Sequence, residues 1–133
     1  MDSSSINLPG SEVSGVSLDS GTLRVHFSRA YIIKTMTGSV ERTRWWQAGD
    51  LVIEDAEISA GGIPEGPLVC NGGDVVENIY TYRDMIPVPL DSRGSARCKL
   101  GFEGHPQPLE AIGSAVRLEM RDVPKYIEHI IPE

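Results

Sequence analysis

The sequence lacks the features that mark membrane and secreted proteins. No stretch approaches the roughly 18 consecutive apolar residues that a membrane-spanning helix needs. Its first ten residues have neither the basic start nor the apolar stretch of a secretory signal, so we expect a cytoplasmic protein. Cysteine is scarce, and Cys70 and Cys98 form no CxxC motif, which favours two buried, reduced thiols over a disulfide.

Positive charge is also in short supply. The chain of 133 residues has 12 Lys and Arg against 19 Asp and Glu, a net charge of -7. Binding to phosphate groups requires a basic surface, and the densest basic cluster, Arg42 and Arg44, lies beside Glu41. We therefore expect no nucleic-acid partner and no anionic membrane partner.

Sequence motifs of catalysis and metal binding are missing. The three histidines, His26, His105 and His129, are isolated, and no His-x-His pair or Gly-x-Ser-x-Gly motif occurs. The acidic run from 54 to 57 has no calcium-loop pattern and is interpreted as a solvated sheet face. We predict no catalytic residue, no metal and no cofactor.

Alternating apolar residues dominate what is present. Val16 and Leu18, then Leu23, Val25 and Phe27, lie on either side of the turn signal Asp-Ser-Gly at 19–21, which predicts a β-hairpin. Further turns are predicted where Gly, Asn and Asp cluster: residues 48–50, 71–73 and 91–94.

Three further segments complete the prediction. Residues 86–90 carry two prolines, which predicts an edge strand, and they are expected to pair with residues 96–102 in a hairpin. A last strand is predicted over residues 126–131. The Ser-rich residues 1–12 are expected to form a flexible N-terminal tail before a single β domain at 13–133.

These patterns predict an all-β fold. The 14 Gly and 9 Pro are spread at short intervals, and no window has helical spacing. We expect an antiparallel β-sandwich or barrel of about 8–10 short strands with little or no helix.

Trp45 and Trp46 provide the main indication of function. Neighbours in a strand point to opposite faces, so only one of them can enter the core. The other is either covered within the chain, for example by a guanidinium group, or contacts another molecule. Arg44, Tyr80 and Tyr82 are the residues expected to join such a binding surface.

Three functions are compatible with this sequence. The preferred one is a non-catalytic β-sandwich module that binds another protein or associates with itself. The second is a binder of small ligands or carbohydrate that uses a tryptophan as its platform. The third is a barrel-type hydrolase or isomerase that uses a histidine and a carboxylate, which requires two histidines and a carboxylate to converge.

Overall fold

The fold consists of strands. The computed structural model describes residues 3–38 and 40–130, and every regular element in these ranges is a β-strand. The nine strands are β1 (Ser3–Asp19), β2 (Thr22–Thr35), β3 (Arg42–Glu54), β4 (Glu57–Ala60), β5 (Leu68–Glu77), β6 (Tyr80–Arg83), β7 (Met85–Val88), β8 (Asp91–Phe102) and β9 (Leu109–Ile130). No helix in the described ranges is long and apolar enough to cross a membrane. The prediction of an all-β, antiparallel fold is confirmed.

Six of the strands pair in a ring. The order is β1, β2, β3, β9, β8 and β5, and a short pairing of β5 with β1 closes it, with Glu12 opposite Val69 and Val13 opposite Leu68. All of these pairings are antiparallel. Of the two predicted forms, sandwich and barrel, the closed pairing is that of a barrel.

The barrel interior is filled by the apolar members of the alternating patterns. Val25 on β2 lies opposite Leu51 on β3, and both are at most 1% exposed. Phe27 and Phe102 are the largest fully buried side chains. The alternation therefore assigns these side chains to the inside, because successive residues of a strand point to opposite faces.

Bulges divide the four longest strands into two parts. Register shifts occur between Asn7 and Val13 on β1, between Phe27 and Ala30 on β2, and opposite Gln47 where β3 meets β9. Beyond the bulges, the other parts of these strands form a second layer with β7, in the order β9, β3, β2, β1, β7; it comprises residues 125–130, 42–46, 31–35, 3–7 and 85–88. We call this the five-stranded layer. A bulge bends a strand. The inner face of the five-stranded layer belongs to the same buried core as the barrel interior.

The N-terminal segment differs from the predicted tail. Residues 3–12 belong to β1, and Ile6 and Leu8 are fully buried within the core. The surrounding serines and the Pro-Gly pair conceal this short apolar alternation in the sequence. Ser4 and Asn7 also pair with β7, so both sides of the segment carry sheet hydrogen bonds. The first two residues of the predicted tail lie outside the described ranges.

Three predicted turns are wrong, because each lies within a strand. Residues 48–50 are part of β3, residues 71–73 are part of β5, and residues 91–94 begin β8. Gly73 is required by a close approach of two strands: a Cβ atom there would lie 2.1 Å from the carbonyl oxygen of Lys99. Glycine within a strand therefore marks strand contact here rather than a turn.

The predicted hairpin between residues 86–90 and 96–102 is also wrong. The proline-bearing strand β7 is an edge strand, as predicted, but it pairs with β1, with Ile86 opposite Ile6. β8 pairs with β5 and β9 instead. The predicted last strand is the C-terminal part of β9, and its final residue, Ile131, lies outside the described ranges.

Candidate functional site

The two tryptophans lie on opposite faces of β3, as the alternation predicts. Trp45 lies opposite the buried Ile32 and packs against the core from the inner face of the five-stranded layer. Trp46 lies opposite Tyr31 and points to the outer face. Both side chains are half-buried, so neither is isolated in solvent.

Trp45 is enclosed by groups of its own chain. Its indole Nε1 donates a hydrogen bond of 2.8 Å to the Oγ1 of Thr43. The Nζ of Lys34 lies 4.4 Å from the ring centroid, and the ring of Tyr126 contacts it edge-on with centroids 5.3 Å apart. The ring of His129 lies 5.7 Å beyond Tyr126. This row of rings ends at the exposed side of β9.

Trp46 is covered by cations. The guanidinium carbon of Arg29 and the Nζ of Lys125 each lie 4.4 Å from its ring centroid. Next to it, the predicted binding residue Arg44 lies 3.6 Å from Glu128 in an ion pair. The coverage of both indoles therefore comes from within the chain, which disfavours a platform on which a sugar ring would stack.

The predicted tyrosines lie elsewhere. Tyr80 and Tyr82 are on β6, which pairs with β5 and not with β3. The hydroxyl of Tyr82 donates a hydrogen bond of 2.9 Å to Glu77, and its ring packs against the core, whereas Tyr80 is exposed. The ring contacts of both tryptophans are made with residues other than these two tyrosines. The structure thus brings Trp45, Trp46 and Arg44 together without the two tyrosines.

The outer edge of β9 is the feature that the sequence analysis missed. β8 covers this edge of β9 only up to Arg117, and the amide of Leu118 donates a hydrogen bond to the carbonyl of Leu90. Beyond that point, no strand of the described ranges pairs with the outer side of residues 119–130. We call residues 119–130 the β9 edge.

The β9 edge carries exposed apolar side chains. Val123 is 73% exposed, Tyr126 is 50% exposed and Ile127 is 38% exposed. Asp122, in a left-handed backbone conformation with φ of 61°, and Pro124 interrupt the strand near its middle. The part after these two residues is Lys125–Ile130, which β3 supports from the other side through five residue pairs, with a one-residue register shift at Ile127.

Other outer strands of the sheet are shorter or better protected. β6 and β7 have four residues each, and β7 contains Pro87, which cannot donate a backbone hydrogen bond. Short strands and prolines are common devices that prevent pairing between sheet edges of different molecules. The β9 edge is longer, and its part Lys125–Ile130 lacks a proline but carries one bulge, at Ile127.

A second polar cluster lies on the outer face of the barrel. Asp50 is only 4% exposed and makes ion pairs with Arg121 at 2.7 Å and Arg24 at 3.1 Å. The Nδ1 of His26 lies 3.2 Å from the carboxylate of Asp50, and the Nε2 of His26 lies 3.1 Å from the hydroxyl of Ser17. The distances between Ser17, His26 and Asp50 are those expected of a nucleophile, a general base and an orienting acid.

Other features of this cluster argue for a structural role. His26 and Asp50 lie on strands that are paired on both sides, so their backbone amides are engaged in the sheet. The carboxylate of Asp50 is shared with two guanidinium groups. The three histidines lie in different elements: His26 is on β2, His105 follows β8 in a turn, and His129 is in the five-stranded layer.

These contacts lower the pKa of Asp50. Burial raises its pKa, but the hydrogen bond and charge of Arg121, with a contribution from His26, outweigh burial and hold the pKa below its ordinary value. The hydrogen bond from Arg24 likewise lowers the pKa of Glu119. Both carboxylates are therefore charged at neutral pH and balance the arginines around them.

Neither cysteine is a reactive thiolate at neutral pH. Cys70 and Cys98 are free and buried, as predicted. Burial raises the pKa of Cys70 to about 11 and that of Cys98 to about 12, so neither forms the reactive thiolate. No group of three or more His, Cys, Asp or Glu side chains suited to a metal ion occurs within residues 3–38 and 40–130.

Comparisons with known proteins do not add to this geometry. No protein-family model matches the chain, and neither a curated protein nor a solved structure matches it.

Proposed function

We propose that this protein is a non-catalytic binding module that receives an extended segment of a protein chain along the β9 edge. The observation that carries the proposal is that no strand within residues 3–38 and 40–130 pairs with the outer side of Lys125–Ile130, next to exposed apolar side chains. An extended segment added to a sheet edge gains main-chain hydrogen bonds, and the alternating side chains supply specificity.

The side chains of the edge fit this role. Tyr126 presents an amphipathic ring that is half exposed and braced by Trp45, so little conformational freedom is lost when a partner covers it. Ile127 offers an apolar contact at the edge itself. The predicted residues Trp45, Trp46 and Arg44 support the strand from behind and have no partner contact of their own in this proposal.

Other proposed properties follow from the composition. The acidic net charge of -7 disfavours nucleic acid and anionic membranes as partners. Two buried reduced thiols are compatible with a cytoplasmic protein, since disulfides are rare in that compartment.

The test is selection of binders from a displayed library of random peptides. We expect extended, partly apolar peptides that bind the native protein and lose at least about tenfold in affinity against Ile127→Lys, since a charge at an edge opposes strand addition. The matched control is Ile112→Lys, because Ile112 is similarly exposed, at 43%, on the same strand but is flanked by β8 and β4. Peptides that bind both variants equally well, or a selection without binders, would overturn the proposal.

A further inference from the structure

We propose that the segment received by the β9 edge is the β9 edge of a second copy, which gives an antiparallel dimer with a two-fold axis at Tyr126 and Ile127. This inference rests on the proposed function and names its partner. Two copies related by a two-fold axis present the same surface to each other, so the surface must be complementary to itself. The charge pattern of the β9 edge meets this requirement.

Local neutrality is the first argument. The chain carries a net charge of -7, so most surfaces of two copies repel each other. In Lys125–Ile130, however, the one lysine, Lys125, balances the one carboxylate, Glu128. This part of the edge is thus a stretch of the surface along which two acidic molecules can approach without net repulsion.

The order of the charges is the second argument. When the axis lies between Tyr126 and Ile127, Lys125 of each copy lies opposite the partner's Glu128, so two ion pairs form. The same register places Tyr126 opposite the partner's Ile127. Apolar pairs therefore lie at the axis, with an ion pair on each side of them, and cross-strand pairs of both kinds stabilise sheets.

The sheet faces to which these side chains point permit this register. Residues directly opposite each other in a sheet must point to the same face. Lys125 lies opposite Trp46 and Glu128 lies opposite Arg44, and these two β3 residues share the outer face. Ile127 is the extra residue of the register shift between them, which brings Lys125 and Glu128 to one face although they are three positions apart.

The residues behind the edge hold the two charges in place. Lys125 lies over the ring of Trp46, and Glu128 is paired with Arg44 at 3.6 Å. A side chain that is held before association loses less conformational entropy when the partner arrives. Trp46 and Arg44, which the sequence analysis singled out for binding, are positioning residues in this arrangement.

The experiment is sedimentation velocity of the full chain over a range of concentrations, with charge variants. We expect the native protein to form a dimer as concentration rises. Lys125→Glu and Glu128→Lys should each weaken the dimer by about tenfold or more, since each places two like-charged pairs at the interface. Lys99→Glu makes the same change of charge on β8, away from the edge, and should leave dimerisation unchanged.

Mixing the two variants provides the sharper test. An equimolar mixture of Lys125→Glu and Glu128→Lys has opposite charges at both positions of the mixed dimer, so dimerisation should return, and the double variant should also dimerise alone. A native protein that stays monomeric, or single variants that dimerise like the native protein, would overturn the self-association. If the peptide selection still gave binders that depend on Ile127, only this inference would fail, and the proposed function would stand.

Discussion

Removal of the charge on Asp50 should destabilise the fold by a predictable amount. In Asp50→Asn, the side chain keeps one acceptor oxygen but loses its charge for Arg24, His26 and Arg121. A hydrogen bond to a charged group contributes about 1.5–3 kcal/mol. The three partner side chains are 33%, 34% and 50% exposed, so water replaces part of what they lose. We expect a loss of about 2–3 kcal/mol at pH 7.

The effect should depend on pH with a defined sign. The contacts hold the pKa of Asp50 in the folded state below its value in the unfolded chain. Such a group stabilises the fold at pH values above the unfolded pKa of about 4, and this contribution is lost as the pH falls through the folded pKa. The difference in stability between native protein and variant should therefore shrink on acidification below pH about 4.

Urea denaturation at pH 7 and at decreasing pH measures this difference directly. At pH 7 the melting temperature of the variant should also fall by roughly 10 °C, given the usual relation for a domain of this size. Asp91→Asn, at an exposed position on β8, is the matched control and should change stability by less than about 0.5 kcal/mol. A loss at Asp50 no larger than at Asp91, or one that does not vary with pH, would refute the reasoning.

The tryptophans and cysteines give two further predictions. Trp45→Ala removes packing against the core and should cost about 2–3 kcal/mol, whereas Trp46→Ala removes cation contacts and should cost about 1 kcal/mol, both measured by urea denaturation. Equal losses would contradict the assigned faces. Cys70 and Cys98, with pKa values of about 11 and about 12, should resist a thiol reagent in the native protein and react after unfolding; rapid native labelling would contradict their burial.

Local sequence patterns predicted the class of the fold and the face of a strand to which particular side chains point. The alternation of Leu23, Val25 and Phe27 predicted a strand with one buried side, and the Asp-Ser-Gly turn correctly joined it to β1. The opposite faces of Trp45 and Trp46 followed in the same way. These features depend on backbone geometry within a few residues, so the sequence contains them directly.

The partner of each strand was beyond such reasoning. β7 was expected to pair with the strand that follows it, yet it pairs with the N-terminal part of β1, about 80 positions earlier. Ladder hydrogen bonds use backbone groups that nearly all residues share, so alternation identifies the buried face of a strand but not its neighbour. The same limit hid the role of Gly73, which accommodates the approach of a strand distant in sequence.

Sequence by itself determined that this protein is built from strands, that its apolar faces fill one interior, and that its surface is acidic. Tertiary structure alone decided that the strands close into a ring, that Asp50 meets Arg24 and Arg121, and that β9 continues beyond its pairing with β8. Each of these depends on segments far apart in the chain, whose meeting is set by packing of the whole core. The proposed binding edge exists because β9 and β3 extend beyond the end of β8, a relation between strands that no single stretch of sequence contains.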